Sequence, residues 1–445
     1  MTQEVALSIL KSGANVFLTG SAGTGKTYVL NQYIQYLKDR KVNVAITAST
    51  GIASTHIGGL TIHSWAGIGV KDSLSSKDLA RMKTRKYLKT KIGKAKVLII
   101  DEISMLHKNQ LNLVDTVLQY FNDSNEPFGD LQVVFCGDFF QLPPIGNRNE
   151  LSKDKFAFMG KSWVDAGLSV CYLTKQYRQN DDKLNTILNE IRINSISQKS
   201  LDLLHGADKE LKDVVPTKLY THNVDVDRIN TQFLENLPGK NRFFKATTKG
   251  EKTLVAVLKK TVLAGEELRL KKGAKVMFVK NNYDKGYING TLGEVIDYDE
   301  IGIPVVKLTD GSKITVSPEK WSIDDESGHS LASFNQIPLR LAWAITIHKS
   351  QGMTLEAAEI DLRKTFEAGQ GYVALSRLKK IEKLHLLGFN GVALSVDRLA
   401  LKADKRFIEL SGEVELQADL KENELLAKDF IRSCGGRVLK KLVKK

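Results

Sequence analysis

Residues Gly20-Ser21-Ala22-Gly23-Thr24-Gly25-Lys26-Thr27 spell G-x-x-x-x-G-K-[ST] directly after the apolar run Val16-Phe17-Leu18. Between a strand and a helix, such a loop cradles phosphates. The glycines Gly20, Gly23 and Gly25, with Ala22 and Thr24 between them, let backbone N–H groups approach the anion. Lys26 meets the β/γ charge, and Thr27 offers a hydroxyl to Mg²⁺. The chemistry predicted is binding of a nucleoside triphosphate. Hydrolysis needs more groups, and candidates follow. The pair Asp101-Glu102 after Val97-Leu98-Ile99-Ile100 divides two roles, the first carboxylate holding Mg²⁺ through water and the second deprotonating the attacking water. Gln141, in Gly137-Asp138-Phe139-Phe140-Gln141-Leu142-Pro143-Pro144, can hydrogen-bond the γ-phosphate, and the aromatics beside it are expected to stack on bases. Arg178 and Arg377 suit stabilisation of charge developing on a γ-phosphate across a cleft between lobes, although an isolated arginine is more often a surface ion-pair partner.

The elements that must hold these residues read as buried strands. Val42 to Ile46 stops at Thr47, Val97 to Ile100 at Asp101-Glu102, and Val133 to Cys136 at Gly137-Asp138. Short continuous apolar runs with helical segments between them imply a parallel α/β sheet, whose ligands collect at the carboxyl ends of the strands. The second half repeats the pattern more weakly. A short run at Leu219-Tyr220 ends in Thr221-His222-Asn223 ahead of a helical stretch, Leu341 to Ile345 leads into Thr346 to Gly352, and a strand-like Leu384 to Leu387 follows Arg377. A second α/β lobe is expected. Val305 to Leu308 and Lys313 to Val316, joined through Asp310-Gly311-Ser312, read as a hairpin.

At 445 residues the chain predicts several domains, and 42% hydrophobic with 26% charged residues describes a globular protein. No apolar stretch approaches a membrane span, and the opening Met1-Thr2-Gln3-Glu4-Val5 carries no leader pattern, so a cytoplasmic protein with no membrane partner is expected. Cys136, Cys171 and Cys434 lack metal or disulfide spacing. The net charge of +14 raises the expectation of a polyanionic partner. Ten Lys or Arg between Lys71 and Lys96, against Asp72 and Asp78, read as an exposed insertion beside a nucleic-acid track, with a solvated helix as the alternative.

Taken in order, the stretches GSAGTGKT, TASTGIAS, GGLTIHSWAGIG, IIDEISML, EPFGDLQVVFCGDFFQLPP, KQYRQ, LAWAITIHKSQGMTL and GQGYVALSR resemble the motifs of superfamily 1B helicases. The set is most similar to the Pif (petite integration frequency) family of 5′-to-3′ DNA helicases, over residues 3–390. Glu126 to Gln132 resembles the tail of that family's signature motif, with Asp130 where glycine is more usual.

The resemblance implies two RecA-like P-loop lobes with parallel sheets. Lobe 1A would comprise 1–68 and 94–176, and lobe 2A 177–293 and 338–402, with a wedge 1B at 69–93 and a small β-barrel 2B at 294–337. A C-terminal extension, 403–445, runs from acidic to basic and reads as a docking helix or tail, or as a further DNA contact. The resemblance gives ATP and Mg²⁺ as cofactors and ATPase roles to Lys26, Thr27, Asp101, Glu102, Gln141, Arg178, Gly352 and Arg377. It makes Gln3 the adenine reader and lines the single-strand track with Thr50, His63, Asn223, His348 and Lys349. It further implies single-stranded DNA and single-strand/duplex junctions as partners. G-quadruplex or other structured DNA joins duplex as a substrate, in replication, recombination, repair or telomere maintenance. A monomer is expected, or a dimer induced by DNA, associated with the nucleoid if the cell is prokaryotic. A RecD-like motor subunit and a non-translocating ATP-switch DNA-binding protein are the alternative readings.

Overall fold

A computed structural model describes residues 1–439 apart from 70, 72, 147–149, 180, 212–215, 281, 283, 288–289, 309 and 325–329. Asp72 of the basic segment, Asn289 at the start of the expected insertion, and the end of the chain from Lys440 lie outside the described residues. By its contacts the chain divides into two units, the first comprising Met1–Leu204, Thr365–Ile381 and Asn390–Lys445, the second His205–Lys364 and Glu382–Phe389.

The first unit is built on a six-stranded sheet of β1 (Val16–Gly20), β2 (Val44–Ala48), β3 (Leu60–Thr61), β4 (Val97–Asp101), β5 (Gln132–Cys136) and β6 (Ser169–Leu173), in the order β3-β2-β4-β5-β1-β6. Every pairing is parallel. β1, β4 and β5 are buried throughout, which is why they read as unbroken apolar runs. The helices α1 (Gln3–Lys11) and α2 (Lys26–Asp39) bury Ala6, Ile9, Leu10, Val29, Leu30 and Tyr33 against it.

Two expectations are corrected here. The run at Val42 to Ile46 forms its strand two residues later, because the Val42 amide still bonds the Leu37 carbonyl of the helix turn after α2. Thr47 therefore lies inside β2, and its hydroxyl donates to the Ile99 carbonyl at 2.6 Å instead of facing a ligand. Phe139 and Phe140 are also not a base-stacking surface. Both are buried, Phe139 among Phe17, Phe156, Phe158, Trp163 and Phe407, and Phe140 under the Arg192 guanidinium. Burying rings of this size contributes more than exposed stacking would return.

The signature stretch is structural. Phe128 is buried edge-on to Phe135, and its amide donates to Asp115 at 2.6 Å, tying the helix Lys108–Asn122 to the sheet. Beyond residue 397 the described chain forms two docked helices. Arg398–Gln417 sends Phe407 into the aromatic core, and Leu420–Ser433 lies on α1.

The second unit carries a four-stranded parallel sheet of Ala344–Thr346, Thr217–Tyr220, Ala358–Leu362 and Leu384–Phe389, so a second parallel α/β lobe is present. A five-stranded antiparallel sheet spans Lys275–Phe278, Leu292–Tyr298, Pro304–Leu308, Lys313–Thr315 and Leu339–Leu341 around Val276, Phe278, Val295, Val306 and Leu339. The expected hairpin is there, with Val306 opposite Ile314 and the Asp310 carboxylate accepting from the Ser312 amide at 2.9 Å. Among the described residues no helix is long and apolar enough to cross a membrane.

Candidate functional site

The phosphate loop closes on itself between β1 and α2. Lys26 Nζ donates to the carbonyls of Gly20 at 2.8 Å and Ser21 at 3.1 Å, so its ammonium sits in the bowl of the loop. Burial lowers the Lys26 pKa, and the carboxylates of Asp138 and Glu102 oppose that shift. Gly25, at φ 84°, caps α2 and leaves room for Gln3, whose Nε2 donates to the Thr24 carbonyl at 3.0 Å. A Cβ on Gly25 would lie 2.1 Å from that nitrogen, so a side chain there would expel Gln3. Thr27 is exposed on the first turn of α2, and Gly23 and Ala22 lie deeper in the loop. The segment Gln176 to Gln179 runs along it, with Tyr177 N donating to the Gly23 carbonyl at 2.9 Å and Gln176 Nε2 to Ser21 Oγ at 2.8 Å.

Asp101 ends β4, buried, and accepts from the Glu102 amide at 2.9 Å. Glu102 has left-handed backbone, φ 50° and ψ 45°, and Ser49 Oγ donates to its carbonyl at 2.7 Å. A non-glycine residue held there stores strain on the order of 1–3 kcal/mol, a cost found mostly at functional positions. Burial, and then the charge of Asp101, pushes the Glu102 carboxyl up to about 7, while Lys26 and Arg377 pull it down. Burial raises Asp101 as well, against the Cys136 thiol and Lys26. These mutual influences bring the loop lysine, both acids and Arg377 into one electrostatic site. Asp101 and Thr27 are hard oxygen donors and few, which suits Mg²⁺, an ion that takes most of its ligands from phosphates and water.

Gln141 is buried after β5, its amide bonded to the Asp138 carbonyl at 3.0 Å. Gly369, at φ 89°, starts the helix Gln370–Leu375 against it; a Cβ there would lie 2.6 Å from the Gln141 carbonyl. Arg377 follows that helix and is only 2% exposed. Its Nε donates to the Val373 carbonyl at 2.9 Å and its Nη2 to Ser376 Oγ at 2.8 Å. Burial, with Arg178 beside it, lowers its pKa to about 9. Arg178 Nη1 donates to the Ser376 carbonyl at 3.3 Å, so the two arginines share one turn.

The remaining candidates stand apart from this cluster. Thr50 Oγ1 accepts from the Ala53 amide at 3.2 Å at the head of the short helix Gly51–His56, and His63 sits in the turn Ile62–Trp65, its pKa lowered by burial. In the second unit, Lys349 Nζ donates to Asn223 Oδ1 at 3.2 Å. Burial lowers Lys349 to about 8 and lowers His348 also, both in the turn after the strand Ala344–Thr346; Gly352 follows with φ 79°. The basic segment folds as two helices, Ser76–Lys83 and Lys86–Lys94, that bury Leu79, Met82, Leu88 and Ile92. Lys71 and Arg81 share Asp78, and Lys83 pairs with Asp123; Arg85, Lys86, Lys89 and Lys94 are exposed.

A family model described as PIF1-like helicase matches residues 2–213, and one described as DNA helicase Pif1, 2B domain, matches 254–298. An ATP-dependent DNA helicase Pif1 of Psychrobacter is 48% identical, over 99% of this chain and 76% of its own. The chain belongs to the PIF1-like helicase family. The human ATP-dependent DNA helicase PIF1 is 36% identical over 89% of this chain, which spans 62% of that relative's length. The crystal structure of Pif1 helicase from Candida albicans superposes with a TM-score of 0.83 at 36% identity, over 91% of this chain and 98% of that one. Bacteroides Pif1 in complex with ADP-AlF3 and single-stranded DNA gives 0.72 at 32% identity, over 90% and 95%.

The structure adds residues to which sequence reading gave no role. Asp138 entered that reading only as the polar end of a strand, and Tyr372 only as part of a quoted motif. Arg192, Tyr172 and Asp404 lie outside every motif, in a helix, a strand and the C-terminal helix, and only folding brings them beside the loop.

Proposed function

We propose that this ATP-dependent DNA helicase of the PIF1-like family couples hydrolysis in its first unit to 5′-to-3′ movement along single-stranded DNA, separating duplex at the junction. The observation that carries the reading is the gathering of Lys26, Asp101, Glu102, Arg178 and Arg377 around one phosphate loop. Gln3 reads the adenine beside Gly25, and the loop amides with Lys26 hold the phosphates. Glu102 takes the proton of the attacking water. Gln141 reports the γ-phosphate, and Arg178 and Arg377 stabilise the charge that develops on it. Thr27 and Asp101 would hold Mg²⁺, which would supply positive charge to offset that of the phosphates. One chain supplies both arginines and the loop, so hydrolysis calls for no second copy.

Thr50, His63, Asn223, His348 and Lys349 line the strand, with Gly352 relaying the nucleotide state. The relatives named as DNA helicases and the Bacteroides complex with single-stranded DNA support this assignment. The exposed cations Arg85, Lys86, Lys89 and Lys94 guide the duplex phosphates.

The test is ATP turnover with and without single-stranded DNA, alongside unwinding of 5′-tailed and 3′-tailed duplexes. Turnover should rise with DNA, only the 5′-tailed duplex should open, and Lys26→Ala should abolish both activities. Arg377→Ala should cost roughly 10³ in kcat with a much smaller change in ATP affinity. Unwinding from a 3′ tail alone, or turnover indifferent to DNA, would overturn the reading.

A further inference from the structure

Beneath the phosphate loop lies a buried network assembled from six separate segments. Arg192, at the end of the helix Asp182–Arg192, is 6% exposed, and a guanidinium that far from water must be fully matched. Its Nη1 donates to Asp138 Oδ2 at 2.9 Å, Asp138 Oδ1 at 3.1 Å and the Tyr372 hydroxyl at 2.9 Å. Its Nη2 donates to the Tyr172 hydroxyl at 2.7 Å and reaches Asp404 Oδ1 at 3.5 Å. The two tyrosines complete the chain. Tyr372 donates to Asp138 Oδ2 at 3.1 Å and accepts from the Ala22 amide of the phosphate loop at 3.0 Å. Tyr172 donates to Asp404 at 3.1 Å.

We infer that the C-terminal helix Arg398–Gln417 is part of the ATPase framework, and that Arg192 and Asp404 are positioning residues for hydrolysis, acting through Asp138 and Tyr372.

What hangs from the network carries the argument. The Asp138 carboxylate accepts from the Phe140 amide at 3.1 Å and its carbonyl from the Gln141 amide at 3.0 Å, so it sets the turn that presents Gln141. Tyr372 lies on the helix whose last turn holds Arg377, through Val373 and Ser376. The same hydroxyl grips the loop at Ala22. A shift of Arg192 would therefore misplace the γ-phosphate reader, one arginine and the loop together. A misplacement of about 1 Å in such groups can cost roughly 10² in rate.

Asp404 is the far anchor. It supplies the second carboxylate that keeps Arg192 and Tyr172 in line, and Phe407 one turn on fixes its helix against Phe17 of β1. The C-terminal segment thus does more than cover a surface.

This inference rests on the ATPase reading above, and the experiment separates the two. In the full chain, Asp404→Asn keeps the shape and loses the charge, while Tyr172→Phe removes one hydroxyl and leaves every charge. Each should lower DNA-stimulated kcat about tenfold, with the KM for ATP and single-stranded DNA affinity within about twofold of wild type. The double variant should fall little below either single one, because both cut the same link. A folded Asp404→Asn chain with wild-type kcat would overturn the inference, as would an equal loss spread over KM and DNA affinity. Should Asp404→Asn fail to fold, Tyr172→Phe decides on the same criteria. A wild-type chain without DNA-stimulated turnover removes the underlying reading, whereas normal wild-type turnover with unaltered variants removes this inference alone.

Discussion

At the carboxyl edge of the first unit's sheet, Asp101, Asp138, Arg192 and Arg377 are buried, with Lys26, Glu102 and Arg178 half-buried beside them. At the matching edge of the second unit's sheet, Asn223 is exposed and His348 and Lys349 are half-buried, neutral or cationic side chains in partial contact with water. Both sheets are parallel, and both gather their polar residues where the strands end. Architecture therefore decides where a site stands, while residue type and dehydration decide what it can do. In the dry edge each charge strongly shifts its neighbours, as preorganised catalysis requires. In the wetter edge a cation can hold and release a phosphate backbone at modest cost.

The sharpest way to break this contrast is Glu102→Gln. If the dry edge is catalytic, removing its base lowers turnover by roughly 10² to 10⁴ while DNA binding survives. Stability should move the other way. Glu102 is raised in the fold to about 7, above its unfolded value, so the fold favours the neutral form. Wild type therefore loses stability as pH climbs from the unfolded pKa to about 7, and then levels off. A glutamine, neutral throughout, escapes that loss. Thermal melts should show the variant more stable than wild type at pH 8, by on the order of 1–3 kcal/mol, with the gap closing toward pH 4. A gap independent of pH would sink the assignment of Glu102 as the perturbed group.

The wetter edge is tested by Lys349→Ala. Affinity for single-stranded DNA should fall, and the log–log salt slope should flatten by about 0.7, the contribution of one phosphate contact to a single strand. ATP affinity without DNA is the counter-readout, and a comparable fall there would place Lys349 with the nucleotide instead.

How much of this was legible in the sequence depended on whether the signal was local. The phosphate loop, the acids after β4 and the parallel strands are each written in a few consecutive residues, and the structure has them where the runs end. Thr47 misled because the turn after α2 consumes Val42 and Asn43 before pairing begins, a register no composition reveals. Phe139 and Phe140 misled because an aromatic beside a polar site reads alike whether it faces a base or a core. Arg192 was invisible for a different reason. At the end of an amphipathic helix it reads as surface charge, and its partners lie up to 212 residues away. Polar networks closed by tertiary contacts leave no periodic trace.

The smallest effect expected is at Asp130, the one departure noted within the signature stretch. The structure explains why glycine is more usual there. Phe128, Gly129 and Asp130 have φ values of 54°, 62° and 65°, three successive left-handed residues that swing the chain from the helix Lys108–Asn122 into β5. Aspartate tolerates that conformation better than most side chains, yet still pays about 1 kcal/mol for its Cβ. Its side chain is exposed, so removing it forfeits little packing. Against the relieved strain stands the greater freedom of an unfolded glycine, which returns part of the gain. Asp130→Gly should therefore stabilise the chain by roughly 0.5 kcal/mol in urea unfolding and leave the denaturant slope unchanged. Gly129→Ala is the opposing control, since its Cβ would lie 2.5 Å from the Leu118 carbonyl and should destabilise clearly. If Asp130→Gly instead destabilises as Gly129→Ala does, the aspartate side chain holds this turn, and the segment is a specific contact rather than a backbone device.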